Sequence, residues 1–179
     1  SEMCIRDSLK MDLWLDAVPA LVQSLGSRDA EGFTRSFMTT DAFPKFATRD
    51  VALAGGTVRL TVMAKGAGMI CPNMATMLVF LTTDVDISPA MLQTALSHDI
   101  ADTFNMTSID GDTSTNDMVT ILANGMAGNT PITKADEAFS TFMQALNTVN
   151  VFLCRSIAGD GEGATKLLEC RVCGAKSEA

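Results

Sequence analysis

The sequence predicts a mixed helix-and-strand fold, either an α+β sandwich or an α/β layered architecture. Three observations lead there. Apolar residues recur at helical spacing over residues 91–100 and again over 138–153. Two short runs, 49–53 and 58–63, read as strands, with Gly55-Gly56 between them in the manner of a hairpin. No internal repeat is present to indicate a solenoid.

The elements follow in order. Residues 12–25 carry Leu13, Val18, Leu21, Val22 and Leu25 at a spacing that becomes helical, with Pro19 expected in the first turn. Residues 28–37 predict a second short helix, ended by Thr39-Thr40-Asp41 and Pro44. After the hairpin, residues 65–73 read as a loop and 77–81 as a buried strand. Ser88 and Pro89 form an N-cap and first-turn pair for a helix bearing Met91, Leu92, Ala95, Leu96 and Ile100. Residues 108–117 are polar, and 119–122 form a short apolar run. Thr133 with Asp136 resembles a capping box for a helix reaching Ile157, with Ala138, Phe142, Ala145, Leu146, Val149 and Leu153 on one stripe. Residues 159–163 break it, and 166–172 read as a closing strand.

Composition narrows the function. The chain has 179 residues, 47% hydrophobic and 19% charged, as expected of a globular domain rather than a disordered chain. Thirteen basic against 21 acidic residues give a net charge of −8. That balance argues against nucleic acid or an anionic membrane as partner, since both need clustered cations. The apolar run Met77-Leu78-Val79-Phe80-Leu81 is far below the ~20 residues that cross a bilayer. Five cysteines, an odd count, and no apolar leader point to a reducing cytoplasm. Residues 1–8 lack periodicity and a cap; residues 1–10 are read as foreign to the domain or disordered, and both ends as cut.

Most nucleophile and cofactor signals fail on inspection. Lys65-Gly66-Ala67-Gly68 has its Lys before the glycines, unlike a phosphate loop, and Cys71 stands where a dinucleotide fingerprint needs Gly. Asp110-Gly111-Asp112 lacks the spacing of a calcium loop and reads better as a hydrogen-bonded turn. Cys170 and Cys173 lie on the expected last strand, where their side chains would diverge, so they read as core residues rather than metal ligands. His98 is the only imidazole and lies on a helix, which leaves no Ser-His or Cys-His pair. No cofactor and no metal are expected. One nucleophile needs no histidine: a threonine at a chain N-terminus, whose own α-amino group is the base. Asn73-Met74-Ala75-Thr76 offers a small residue before a Thr, behind a loop with Pro72 and glycines. A buried strand-entry Thr explains the same spacing.

Four longer strings carry a family resemblance. They are Met38-Thr39-Thr40-Asp41-Ala42-Phe43-Pro44-Lys45; residues 65–78, KGAGMICPNMATML; residues 110–117, DGDTSTND; and Asp160-Gly161-Glu162-Gly163-Ala164-Thr165-Lys166. In this order they resemble the glutamate N-acetyltransferases of arginine biosynthesis, also called ornithine acetyltransferases. The resemblance implies an α+β fold of layered mixed sheets with helices, that of a self-cleaving Thr-nucleophile acetyltransferase, here incomplete at both ends. It implies a precursor cut between Ala75 and Thr76, so that residues 11–75 end an α chain and 76–179 begin a β chain, the two assembling as a heterotetramer. Thr76 is then the nucleophile that moves acetyl from N2-acetylornithine to glutamate, with acetyl-CoA as a further donor to be considered. Thr39, Lys65 and Glu162 match substrate-contacting positions. Lys65 suits a substrate carboxylate and Glu162 an ornithine ammonium.

Departures are Ala67 for the usual Ser, Ala42 for the usual Thr, and the two late cysteines. The family's oxyanion-hole Thr-Gly pair lies upstream of these residues, and a substrate-contacting Asn lies beyond them. The alternatives carried alongside are an N-terminal-Thr amidase or aminopeptidase, in which water takes the acyl group, and a catalytically inert fragment.

Overall fold

The computed structural model describes residues 10–26, 30–71, 74–75, 77–114 and 116–174. It falls into two compact units, residues 1–30 and 31–179. Apart from Lys10, the residues read as foreign lie outside the described ones.

The first unit contains α1 (Met11–Gln23). Pro19 is inside this helix and not in its first turn as expected. There it has no N–H to give to the preceding turn.

The second unit is a sheet with helices. After α2 (Ala30–Ser36) come β1 (Lys45–Leu53) and β2 (Gly56–Lys65), paired antiparallel with Leu53 opposite Gly56. The turn is therefore Ala54-Gly55, one residue earlier than the glycine pair implied. Gly55 has φ +93°, a region glycine enters without steric cost. Gly56 already belongs to the ladder. Any Cβ there would run into the Ala127 carbonyl oxygen, so the 127–129 loop packs directly on the hairpin.

A two-stranded hairpin follows, β3 (Ile70–Cys71) with β4 (Met74–Ala75). It occupies part of the stretch read as loop. Next come β5 (Leu78–Thr83), α3 (Pro89–Asp102), a 3₁₀ turn (Phe104–Met106), β6 (Met118–Ala123) and α4 (Glu137–Gly159). The sheet order is β1-β2-β5-β6, antiparallel except for the parallel β5–β6 pair. A parallel pair needs a crossover, and α3 with the 3₁₀ turn supplies it.

Register puts Val58, Leu60, Val62 and Ala64 of β2 on one face with Val79 and Leu81 of β5. All six are buried. α4 lies over this face against β1 and β2, and touches α3. It buries Phe142, Ala145, Leu146, Val149, Leu153 and Ile157, close to the stripe read from periodicity. On the opposite face Phe33 and Phe37 meet Phe80 edge-on, at 5.7 and 5.4 Å between ring centroids. The result is the α+β arrangement of helices on a mixed sheet. Among the described residues no helix is long and apolar enough to cross a membrane.

The caps show one agreement and one correction. Ser88 accepts the N–H of Met91, with Pro89 at the start of α3 as expected. For α4 the cap is Asp136 itself, which accepts from the N–H of Phe139; Thr133 lies outside the helix.

The expected closing strand is absent. Residues 164–173 are irregular and exposed, with Leu168 88% accessible. A strand needs a neighbour for its N–H and C=O groups, and none of the described strands pairs with this segment. Cys170 and Cys173 are accordingly exposed, not core residues.

Candidate functional site

The site is built on the end of β2. Antiparallel pairing carries β2 as far as Lys65, which lies opposite Leu78 of β5. The chain then turns through Gly66, Ala67 and Gly68 to Met69, which has φ +53°. Lys65 is buried, and its Nζ donates to Thr39 Oγ1 at 3.1 Å. Thr39, itself exposed, comes from the loop between α2 and β1.

Glu162 arrives from the other side, on the turn after α4. Its N–H donates to the Ala67 carbonyl at 2.7 Å. Its carboxylate stands over Gly68: a Cβ on that glycine would meet Glu162 Oε2 at 3.2 Å. Glycine at 68 thus lets a carboxylate approach the backbone closely. Thr39, Lys65 and Glu162 therefore converge on one four-residue segment. Ala75 follows close by, with its backbone paired to Ile70. Thr76 lies outside the described residues.

Four further residues, Lys45, Asp41, Asp160 and Asp110, hold this segment in place. Lys45 is fully buried, its Nζ donating to Asp41 Oδ1 at 2.7 Å and to Asp160 Oδ2 at 2.5 Å. Asp41 also accepts the N–H of Gly66 at 2.7 Å and of Thr39 at 3.3 Å. Burial pushes the Asp41 carboxyl upward, but the Lys45 ammonium and these two N–H groups outweigh it and hold the group below its usual range. Asp110 accepts from the N–H groups of Met69 (2.7 Å), Ile70 (3.1 Å) and Asp112 (3.2 Å). Burial again works upward and is outweighed by these donors, so Asp110 is also depressed. Residues 110–112 thus form a hydrogen-bonded turn whose first carboxylate reaches across to the site.

All four of these acids and bases sit inside the motifs quoted above. The one available signal was Asp41 four residues before Lys45, on an apolar stretch with Phe43 and Phe46. Asp160 and Asp110 are too distant in sequence for spacing to connect them.

Other features lie apart. His98 is exposed on α3. A cavity of about 260 Å³ between α4 and residues 167–170 is lined by Thr107, Cys154 and Leu168 and contains none of the candidate residues. Cys154 there is pushed up to about 11, first by burial and further by the Asp99 charge. Among the described residues no group of three His, Cys, Asp or Glu side chains is arranged to hold a metal ion.

The ArgJ family model matches residues 3–179. This chain belongs to the ArgJ family. Two curated relatives are both named arginine biosynthesis bifunctional protein ArgJ. That of Chlorobium chlorochromatii is 52% identical over 160 residues, covering 89% of this chain and 37% of its own length. That of Nitratidesulfovibrio vulgaris is 47% identical over 171 residues, covering 96% of this chain and 43% of its own. The chain spans well under half the length of these relatives. A crystal structure of ArgJ from Bacillus halodurans, 47% identical, covers 49% of this chain and 41% of that one with a TM-score of 0.47. Membership of the ArgJ family rests on nearly the whole of this chain, so the Thr39, Lys65 and Glu162 segments all lie inside the matched region.

Proposed function

We propose that this chain is part of a self-cleaving precursor that transfers acetyl from N2-acetylornithine to glutamate in arginine biosynthesis. The observation that carries the reading is the convergence of Thr39, Lys65 and Glu162 on the turn after β2. A lysine ammonium has three donors. One goes to Thr39, which leaves others for a substrate carboxylate, and a carboxylate such as that of Glu162 suits an ammonium. A cation on this turn and an anion bonded to it from the other side suit an amino acid with two charged ends. This favours an amine as acyl acceptor over water, and so transfer over hydrolysis.

The cut falls between Ala75 and Thr76, and the freed α-amino group of Thr76 becomes the base. The Thr76 hydroxyl attacks the acetyl carbonyl and passes its proton to that amine. The amide C–N bond breaks, and ornithine leaves with the proton. The glutamate amine then attacks the acyl ester, giving N-acetylglutamate and restoring the hydroxyl. Acetyl-CoA-dependent acetylation of glutamate is a second activity to assay. The pieces from each precursor stay together, two copies forming a heterotetramer in the cytoplasm.

The test is intact-mass analysis and N-terminal sequencing of the full-length precursor, followed by assay with N2-acetylornithine with and without glutamate. The smaller piece is expected to begin Thr-Met-Leu, and acetyl release to depend on glutamate. Thr76→Ala should abolish cutting and transfer, and Thr76→Ser should retain some of each. An uncut, inactive wild-type protein, or release of free acetate alone, overturns the reading.

A further inference from the structure

We infer that Asp41, Lys45 and Asp160 are positioning residues of the substrate site, a buried ion triad that keeps its two sides in register. The inference rests on the reading above that Thr39, Lys65 and Glu162 meet the substrate.

The triad connects every segment that carries one of those residues. Asp41 bonds the N–H of Thr39 itself and the N–H of Gly66, the residue after Lys65. Asp160 Oδ2 accepts from Lys45 Nζ and from the N–H of Ala42 at 3.0 Å. Asp160 stands two residues before Glu162, on the turn whose N–H reaches Ala67. Lys45 joins the two acids, with Phe43 closing over its ammonium at 5.0 Å. The Lys45 side chain is 0% exposed, and those of Asp41 and Asp160 are 1% and 6% exposed. These charges are therefore partnered by one another rather than by solvent.

Stability is a poor reason to retain such a cluster. A buried ion pair costs desolvation of both partners, and packed apolar side chains often do as well. Its distinct property is geometry, because charge-assisted bonds are short and directional. Two carboxylates share one ammonium, and each also takes backbone N–H donors. The segments bearing those donors are thereby held relative to one another. Asp41 and Lys45 precede the proposed cut and Asp160 follows it. Along this chain the covalent path between them runs through the Ala75–Thr76 bond. Once that bond is cut, the triad ties one side of the site to the other without a covalent link.

Asp160→Ala tests this selectively. It leaves the Asp41–Lys45 pair balanced in charge, and removes the Lys45 and Ala42 bonds to the Glu162 turn while the Glu162 N–H bond to Ala67 remains. The variant is made in the full-length precursor, beside Asp160→Asn and a control, Arg59→Ala, which breaks the exposed Arg59–Asp50 pair on the same sheet. Cutting is followed by intact mass, and steady-state kinetics by varying N2-acetylornithine. All three variants are expected to be cut as the wild type is. Asp160→Ala should raise KM for N2-acetylornithine about tenfold with kcat within about threefold, the pattern of lost binding shared by ground and transition states. Asp160→Asn keeps an acceptor oxygen for Lys45 and Ala42, so its KM should fall between those of Asp160→Ala and wild type. Arg59→Ala should match wild type. An Asp160→Ala protein that is cut and has wild-type KM overturns the inference. So does one whose kcat falls while KM stays. If Asp160→Ala does not fold, Asp160→Asn decides: a raised KM supports the inference and an unchanged KM overturns it. Failure of the underlying reading is seen separately, as a wild-type protein that is uncut or transfers no acetyl.

Discussion

The Asp110 carboxylate takes the N–H of Met69 at 2.7 Å, and Met69 is a non-glycine residue held at φ +53°. Left-handed backbone is costly for a residue with a Cβ, of order 1–2 kcal/mol, and persists only where its surroundings enforce it. Asp110 is part of that enforcement. It also holds the N–H of Ile70, while Ile109 and Ser108 hold the Ile70 carbonyl. Ile70 is paired with Ala75, the residue before the proposed cut. On the far side the Met77 N–H donates to Asp117 at 3.2 Å. The first and last acids of the 110–117 block thus anchor backbone on both sides of that position.

Cutting should accordingly depend on Asp110. Asp110→Ala removes three acceptor contacts, and charge-assisted bonds of this kind are worth ~1.5–3 kcal/mol each. Only part of that is felt at the Ala75–Thr76 bond, so a slowing of about tenfold is expected. An intact-mass time course of the full-length precursor at fixed temperature reads it. Cutting at the wild-type rate would show that Asp110 shapes the turn without bearing on the reaction.

What was legible in the sequence was local. The α4 stripe and the Ser88-Pro89 cap depend on neighbours three and four residues apart, and both stand in the structure. The hairpin was found but misplaced by one residue, because Gly56 is glycine for its contact with Ala127 and not for the turn. Residues 166–172 read as a strand, but strand formation depends on a partner edge that the local sequence does not report. The burial of Lys45 goes with an acid at position 160 that no spacing rule connects to it. Thr39, Lys65 and Glu162 were reached only through whole-motif resemblance. Their proximity depends on the path of β2 and the end of α4.

Gly56→Ala should be destabilising out of proportion to its size. The added Cβ meets backbone, the Ala127 carbonyl, so relief requires the 127–129 loop to move off the hairpin. That loop is itself pinned, with the Ala127 N–H on the Asp84 carbonyl and the Thr130 N–H on the Ala54 carbonyl. Overpacking of this kind costs roughly 1–3 kcal/mol. Urea unfolding followed by circular dichroism should show a lower midpoint at unchanged slope; an unchanged midpoint would mean the loop yields freely.

Asp41 should make stability fall in acid. Burial raises its carboxyl and the Lys45 and backbone donors lower it, with the donors prevailing. A group depressed in the folded state contributes fully above its unfolded value, here the ordinary 3.8, and its contribution is lost as the pH falls through the folded value. Wild type should therefore lose stability as the pH drops below 3.8, and Asp41→Asn should lose less over that interval while starting from a lower plateau. Thermal melts from pH 6 down to pH 2 measure the two slopes. Parallel curves would mean that Asp41 does not titrate differently in the two states.

Glu162 should select the basic side chain of the donor. Its turn is held by backbone, through the Glu162 N–H on Ala67 and the Ala164 N–H on Gly161. Removing the charge should therefore leave the turn in place. Glu162→Gln loses one charge-assisted contact with an ammonium, worth ~1.5–3 kcal/mol, or about 10- to 150-fold in kcat/KM for N2-acetylornithine. Cutting at Ala75–Thr76 should be unaffected, since it precedes substrate binding. Gly68→Ala approaches the same point sterically: its Cβ would sit 3.2 Å from Glu162 Oε2, tight enough to displace the carboxylate while leaving its charge. Both variants should thus lose donor specificity and keep cutting, one by charge and one by position. If Glu162→Gln stops the precursor from cutting or folding, the side chain is structural, and the selectivity must come from elsewhere in the site.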